Sequence, residues 1–298
     1  KTLYIPLFSD GHFQSTLEGI LKDANAYIAK AKTLYGEAET LLLTSLGLDN
    51  FTPSTANTSV KSFAQVAASG RMDAEYYQAK YDELLKAIEK SKEGSAVMKL
   101  SSLNEIVDIK KSIEPGSDSY MEEGIPFLRV ADVSKYEIQS SKIFLNRREF
   151  DIDGLKPKKD TILFSKDGTV GIAYKAEHDM DAITSGALLH LTVTDRQIDP
   201  DYLTLLLNSF IVSMQAERDV GGSIINHWRV EQINKVCLPI LQPYLQRRIS
   251  RKIRKSFALR EESKRLLKAA TRAVEIAIEE GEAAALKHLE VEVKERVQ

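Results

Sequence analysis

The stretch QSTLEGILKDANAYIAKAKTLYGEAETLLLTSL at residues 14–46 matches a second stretch, QRRISRKIRKSFALREESKRLLKAATRAVEIAIEE at residues 246–280, over about 30 residues without a gap. Apolar residues recur at corresponding positions of the two copies in steps of four and three. This spacing keeps an apolar seam on one side of a helix. The sequence therefore predicts two long helices with a coiled-coil seam made of Leu17, Leu21, Ile28, Tyr35, Leu42, Ile249, Ile253, Leu267 and Val274.

Each predicted helix follows the same kind of lead-in, a strand-like apolar run with a central proline and a short turn. Residues 4–8 contain Pro6, and residues 237–241 contain Pro239. A repeated strand, turn and helix indicates a chain with internal repeats. We therefore expect residues 1–13 to be the end of a preceding domain.

Composition excludes some classes of protein and leaves others open. The 298 residues are 43% hydrophobic with a formal net charge of −2, enough apolar material for one or two cores and no general attraction to polyanions. Cys237 lies in an apolar run, and we expect a buried thiol in a reducing compartment. No apolar run approaches the ~20 residues that span a bilayer, and no signal-peptide pattern opens the chain. We expect a cytoplasmic protein without a membrane contact.

The order of patterns along the chain predicts an α+β fold, with one mixed α/β globule between the two long helices. Short β-branched and aromatic runs predict strands at 125–130, 142–145, 161–165, 170–175, 186–193 and 236–240, with helices at 199–217 and 229–234. The predicted segments are a stub at 1–13, a long helix at 14–48 that Gly47 caps, a linker and short helix at 49–96, the globule at 97–243, and the second long helix with a charged tail at 244–298. The short helix is expected at 73–91, with Asp73 as its N-cap.

Two polar loops are candidates for binding. Residues 221–228, GGSIINHW, combine two glycines with donors, acceptors and an aromatic ring, which suits close approach to a base or phosphate. The same residues suit a plain turn, with Trp228 packed in the core. Residues 164–171, FSKDGTVG, would place Lys166 or Thr169 at a hairpin tip, and are also compatible with an ordinary hairpin.

Positive charge is local. Residues 97–240 hold 17 basic and 22 acidic residues, whereas residues 241–272 hold 11 basic and 2 acidic ones. The basic start of the second helix fits either a solvated face or a polyanion partner. Arg147 and Arg148 form a smaller cluster after a predicted strand.

Patterns typical of catalysis are missing from the sequence. The five histidines and one cysteine fit no metal spacing, and the phosphate-binding and dinucleotide-binding glycine patterns are absent. We therefore expect a protein that is not an enzyme, with no cofactor of its own.

Several elements in a fixed order resemble the target-recognition domain of the DNA-specificity (S) subunit of type I restriction-modification enzymes. They are LNEIV at 103–107, GIPFLRVADV at 124–133, LKPKKDTILFS at 155–165, GTVG at 168–171, PDYL at 200–203, Gly221-Gly222, and LPI at 238–240 with QRRI at 246–249. The long helices resemble that family's two conserved coiled-coil regions. Because the family normally carries two recognition domains and this chain carries one, a half subunit or the C-terminal portion of a longer subunit is expected.

The resemblance implies an antiparallel coiled coil and a globule that reads one half of a bipartite target in double-stranded DNA. It also implies methyltransferase (modification) subunits as partners, which carry S-adenosylmethionine, a motor-nuclease subunit that joins them, and a homodimer if a second globule is to come from a second copy. Loop position then predicts DNA contacts from Lys166, Asp167, Thr169, Ser223, Asn226, His227 and Arg229, with Arg147 and Arg148 on phosphates.

Two other interpretations remain open at this stage. A coiled-coil adaptor whose globule binds protein accounts equally well for the near-neutral charge and the heptads, but not for polar glycine loops between strands. A specificity segment of a fused restriction-modification polypeptide has the same sequence features as a half subunit.

Overall fold

The computed structural model describes residues 8–56, 58–220 and 226–294. Residues 1–7 of the stub expected at 1–13, the Gly221-Gly222 pair and Ser223 lie outside the described residues. In chain order the elements are α1 (Gly11–Leu46), α2 (Phe63–Ser69), α3 (Ala79–Ser91), β1 (Val97–Ser102), β2 (Val107–Lys111), β3 (Ile125–Leu128), β4 (Phe144–Leu145), α4 (Arg147–Phe150), β5 (Ile162–Ser165), β6 (Ala173–Lys175), β7 (Ile183–Thr184), β8 (Leu188–Val193), α5 (Pro200–Leu207), α6 (Phe210–Val220), α7 (Val230–Ile233), β9 (Cys237–Leu241), α8 (Pro243–Glu279) and α9 (Glu282–Lys294). The predicted α+β class is confirmed.

The chain divides into two compact units, and the division crosses both long helices. One unit contains residues 1–38 and 251–298, and the other contains residues 39–250. We call them the helical unit and the globular unit.

Both long helices begin three residues before the predicted position. The Asp10 carboxylate accepts hydrogen bonds from the backbone N–H groups of His12 and Phe13 and so caps the start of α1. At the other end of α1, Gly47 takes φ +68° and the Leu48 N–H donates to the Leu43 carbonyl, so the predicted glycine cap is confirmed.

In the helical unit α1 and α8 run antiparallel. The Ser256 hydroxyl donates to the Ala31 carbonyl at 2.7 Å, and the Ser263 hydroxyl donates to the Ala24 carbonyl at 2.8 Å. From Ser256 to Ser263 the residue number rises along α8, while the number of the partner in α1 falls from 31 to 24, so the two helices are antiparallel. All four residues are buried, and their small side chains let the helix backbones approach closely.

The seam differs from the prediction at two positions. Leu21 and Leu267 are 39% and 44% exposed, whereas their neighbours Ile20 and Leu266 are buried. The reason is a third helix, α9, in the part that was predicted to be a charged tail. Its residues Ala285 and Leu289 join one apolar cluster with Phe13, Ile20, Ala24, Leu266, Ala270, Ala273, Ile276 and Ala277. Of the other predicted seam residues, Tyr35, Leu42, Ile249 and Ile253 are buried, and Leu17, Ile28 and Val274 are partly buried.

The globular unit is built on three small sheets among the described residues. The four-stranded sheet has the order β2-β8-β5-β6 with antiparallel neighbours, a three-stranded sheet has the order β4-β3-β7, and β1 pairs with β9. The central strand β5 is buried along its whole length. Helix α5 packs on β6, and the buried Tyr202 hydroxyl donates to the Pro239 carbonyl at 3.1 Å.

Three local predictions need correction. The helix expected at 199–217 is interrupted at Asn208, whose side-chain amide instead bonds the backbone of Ala173 in β6. Asp73 does not cap the short helix by a side-chain bond, because its carboxylate pairs with Arg71. Cys237 is half-buried rather than fully buried. The predicted helix start at Asp199 is confirmed, because the Asp199 carboxylate accepts from the Asp201 N–H and caps α5.

Within the described residues, every helix is either too short or too polar to cross a bilayer.

Candidate nucleic-acid interface

The predicted hairpin between β5 and β6 is confirmed and has a tightly bonded tip. Gly168 takes φ +68°, a conformation that favours glycine. The buried Ser165 hydroxyl donates to the Thr169 carbonyl at 2.6 Å and accepts from the Ile172 N–H at 2.9 Å. The exposed tip therefore stands on a buried, hydrogen-bonded base.

The second candidate loop docks onto this hairpin. The Trp228 N–H donates to the Lys166 carbonyl at 2.8 Å, and the Gly168 N–H donates to the Asn226 carbonyl at 2.9 Å. These bonds form an isolated antiparallel bridge between Asp167 and His227. Residues 166–169 and 226–229 thus form one surface, which we call the loop pair.

Exposure within the loop pair separates side chains that can meet a ligand from side chains that hold the loops. Thr169, Asn226, His227 and Arg229 are exposed. Lys166 is only 9% exposed, and its ammonium pairs with the Asp167 carboxylate. Asp167 also contacts Nδ1 of His227. Asp167 therefore joins the two loops through its side chain.

Trp228 anchors the loop pair to the core, which confirms the packing role weighed for it. Its side chain is fully buried and lies 5.7 Å from the Phe164 ring, between centroids. The indole Nε1 donates to Asp219 Oδ2 at 3.1 Å, so its single polar group is satisfied. This anchor fixes the backbone immediately next to His227 and Arg229.

Arg147 and Arg148 differ in their surroundings. The Arg147 guanidinium bonds Asp181 at 2.7 Å and Asp151 at 2.9 Å, and Lys156 contacts the same two carboxylates. The pKa of the Asp181 carboxyl is held well below its usual range, first by Arg147 and then by Lys156. Arg148 is exposed and has no ion pair among the described residues. Arg148 is therefore better placed than Arg147 for a phosphate.

A polar cleft of about 460 Å³ lies beside the loop pair, and no pattern in the sequence predicts it. One wall comes from residues 68–76 and the other from residues 215–219 and 229–236. Its charged lining comprises Arg71, Arg218, Asp219, Arg229, Glu231 and Lys235. Residues so far apart along the chain carry no common pattern in sequence.

Over the part of the chain that the structure describes, no group of three or more His, Cys, Asp or Glu side chains could hold a metal ion.

No protein-family model and no curated protein sequence matches this chain. Solved structures do match. The S subunit of a type I restriction-modification system from M. genitalium is 15% identical, with a TM-score of 0.49, over 92% of this chain and 58% of its own. The HsdS subunit of Thermoanaerobacter tengcongensis is 14% identical, with a TM-score of 0.42, over 91% and 58%.

A third match, from a structure on complex assembly and conformational transition of the type I R-M system, is 14% identical with a TM-score of 0.43, over 90% of this chain and 57% of its own. This chain therefore spans less than two thirds of each of these three proteins. The descriptions of all three name a type I restriction-modification system or its HsdS subunit.

Proposed function

We propose that this chain is a DNA-specificity subunit of a type I restriction-modification system and that its globular unit reads one half of a bipartite target. The observation that carries the proposal is the loop pair. Two polar loops, distant in sequence, meet on one rigid base and present Thr169, Asn226, His227 and Arg229 to solvent. Amide, hydroxyl and imidazole groups bond base edges, and arginine bonds guanine or phosphate.

The helical unit supports a two-part target. Laying Gln14 on Gln246 aligns Ala24 with Ser256 and Ala31 with Ser263. The observed pairs are Ser263 with Ala24 and Ser256 with Ala31. Exchanging the two aligned helices turns one pair into the other, so the helix pair has an internal pseudo-two-fold relation. A second recognition globule related by this symmetry would read the other half of the target.

The proposed partners follow from this role. Methyltransferase subunits would bind the helical regions and carry S-adenosylmethionine, and a motor-nuclease subunit would join that complex. The second globule would come from a second copy of this chain or from another part of the same polypeptide. The chain itself would bind DNA without a cofactor.

The test is a selection of DNA duplexes from a random pool by this chain, alone and with its modification subunit. Affinities for the selected duplex and a scrambled one are then compared for Asn226→Ala, His227→Ala and the control Asn25→Ala, an exposed asparagine of α1. Each loop variant is expected to reduce discrimination between the duplexes by about 1–3 kcal/mol if its side chain contacts a base edge. The Asn25→Ala control is expected to leave the discrimination between the duplexes unchanged.

Equal discrimination by the wild type and both loop variants would contradict the assignment of the loop pair. Binding to a protein alone, insensitive to salt and without affinity for DNA, would favour the adaptor interpretation, since DNA binding weakens steeply as salt rises.

A further inference from the structure

The polar cleft beside the loop pair has one wall from outside the predicted recognition domain. That wall is part of the segment predicted as linker and short helix, and it includes Arg71 and Tyr76. The opposite wall is formed by the end of α6 and by α7, with Arg218, Arg229 and Lys235. Basic side chains from two distant segments therefore line one open cleft.

The inner part of the cleft is held rigidly. The Arg71 guanidinium makes two hydrogen bonds to the Asp73 carboxylate, both of 2.6 Å, and donates to the Asp219 carbonyl at 2.9 Å. The Tyr76 ring contacts the Arg71 guanidinium at 4.9 Å and that of Arg218 at 5.3 Å, measured to the ring centroid. These contacts tie the linker wall to the end of α6.

Two cations at the outer part have no such partner. Arg229 and Lys235 flank α7, are exposed, and form no ion pair among the described residues. Among the described residues the lining carboxylates are Asp219 and Glu231, and Asp219 is already bonded to Arg218 and to the Trp228 indole, which leaves Glu231 against two cations. The cleft therefore has an excess of positive charge at its mouth.

The chemistry of the lining favours a phosphate group over an apolar ligand. Among the described lining residues, the aliphatic side chains are Ala68 and Val236, and the one aromatic ring, Tyr76, is already stacked against Arg71 and Arg218, so the cleft offers little apolar wall to a small molecule. Arginine and lysine side chains are the usual contacts to nucleic-acid phosphates. Arg229 follows His227 by two residues, so the mouth of the cleft continues directly from the loop pair.

We propose that this cleft binds backbone phosphates of the DNA strand whose bases meet the loop pair, through Arg229 and Lys235. The inference rests on the proposed function and adds a site to it. Arg229, which the sequence placed among candidate base contacts, becomes a phosphate contact. The linker wall becomes part of the DNA-binding surface, because it positions Arg218 and the edge of the cleft.

The test compares Arg229→Ala/Lys235→Ala with Lys86→Ala/Lys90→Ala, which removes the same charge from exposed positions of α3. The slope of log affinity against log salt is measured on the selected duplex and on a scrambled one. Each lost phosphate contact lowers the magnitude of the slope by about 0.9, so the cleft variant is expected to lose about 1.8 on both duplexes. For the Lys86→Ala/Lys90→Ala control, the magnitude of the slope is expected to fall much less.

The outcomes separate this inference from the proposed function. If discrimination between duplexes persists and the cleft variant keeps the slope of the control, the cleft inference is wrong and the proposed function stands. If the wild type shows no preference among duplexes but the cleft variant loses slope, the cleft is a phosphate site and the proposed function is wrong. If the wild type binds no DNA, both are wrong. The single tryptophan, Trp228, reports on folding of each variant next to the site.

Discussion

Lys166 and Arg147 carry charges suited to a phosphate, but carboxylates of the same unit hold both of them. The Lys166 ammonium pairs with Asp167, and Arg147 pairs with Asp151 and Asp181. A cation that is already paired with a carboxylate neutralises less phosphate charge, so fewer condensed counterions leave the DNA when it binds. At the scale of single residues, exposure and pairing therefore decide which basic residues can bind, and sequence position alone does not.

The two neighbouring arginines provide a direct test. Arg148→Ala is expected to lower the magnitude of the salt slope of DNA binding by about 1, the effect of one lost phosphate contact. Arg147→Ala is expected to lower it less, because its guanidinium is engaged by two carboxylates. The measurement is the salt slope of both variants on one duplex. An equal decrease in slope for Arg148→Ala and Arg147→Ala would contradict the difference expected between the two arginines.

His190 predicts a pH dependence of stability. Its ring lies in β8, 7% exposed, with Nε2 2.7 Å from the Thr184 hydroxyl. Burial, with a smaller effect of Lys110, lowers its pKa to about 4. The unfolded chain binds the proton near pH 6.5, so stability is full above that pH and falls as pH drops toward 4. At pH 5 the loss from this group is expected to be about 2 kcal/mol at most.

The measurement is urea unfolding at pH 7.5 and pH 5.0 for the wild type and for His190→Gln, which keeps a polar group beside Thr184. The variant is expected to lose less stability between the two pH values. An identical pH dependence in both proteins would show that His190 is not responsible.

At the scale of elements, the pairing of α1 with α8 depends on two hydroxyls in the seam. In isolation, Ser256 and Ser263 look like interruptions of an apolar pattern. In the structure each is buried and donates to a carbonyl of the opposite helix. Buried hydroxyls that are satisfied stabilise a helix pair and also select its register.

Ser256→Ala and Ser263→Ala are each expected to lower the free energy of unfolding by about 1 kcal/mol, the usual net value of such a hydrogen bond. The control is Thr271→Ala, because Thr271 is exposed and its hydroxyl donates to Leu267 of its own helix. Urea unfolding followed by circular dichroism measures the three variants. A control as destabilised as the seam variants would contradict the role of the interhelical bonds.

Helix α9 makes a second prediction at this scale. Leu289 is fully buried against the long helices, and the Glu282 carboxylate accepts hydrogen bonds from the backbone N–H groups of Ser9 and Asp10. Leu289→Ala is expected to lower the free energy of unfolding by about 2–5 kcal/mol. Val291→Ala, at a 55% exposed position of the same helix, is expected to change it by less than about 0.5 kcal/mol. Similar losses in both variants would contradict the packing of α9.

At the scale of the whole molecule, the proposed function predicts an assembly with methyltransferase subunits, and the pseudo-two-fold relation of the helix pair raises the question of how many copies of this chain it contains. The mass of the purified chain should be measured alone and with its modification subunit. Two copies of this chain in the complex would indicate a half subunit that reads a symmetric split target. One copy would indicate a portion of a longer subunit, and no association would contradict the proposed function.

The sequence by itself determined the repeated long helices, the α+β class and the two polar loops, because these depend on local periodicity and turn chemistry. Helix ends and the Gly47 cap follow from residues close together in the chain, whereas the Trp228 anchor depends on its contact with Phe164. Only the tertiary structure decided that the loops meet through Asp167 and His227, and that Lys166 and Arg147 are already paired. It also decided that α9 covers the helix pair and that residues 68–76 form a wall of the cleft. These depend on contacts between distant segments, which no local pattern in a single sequence records.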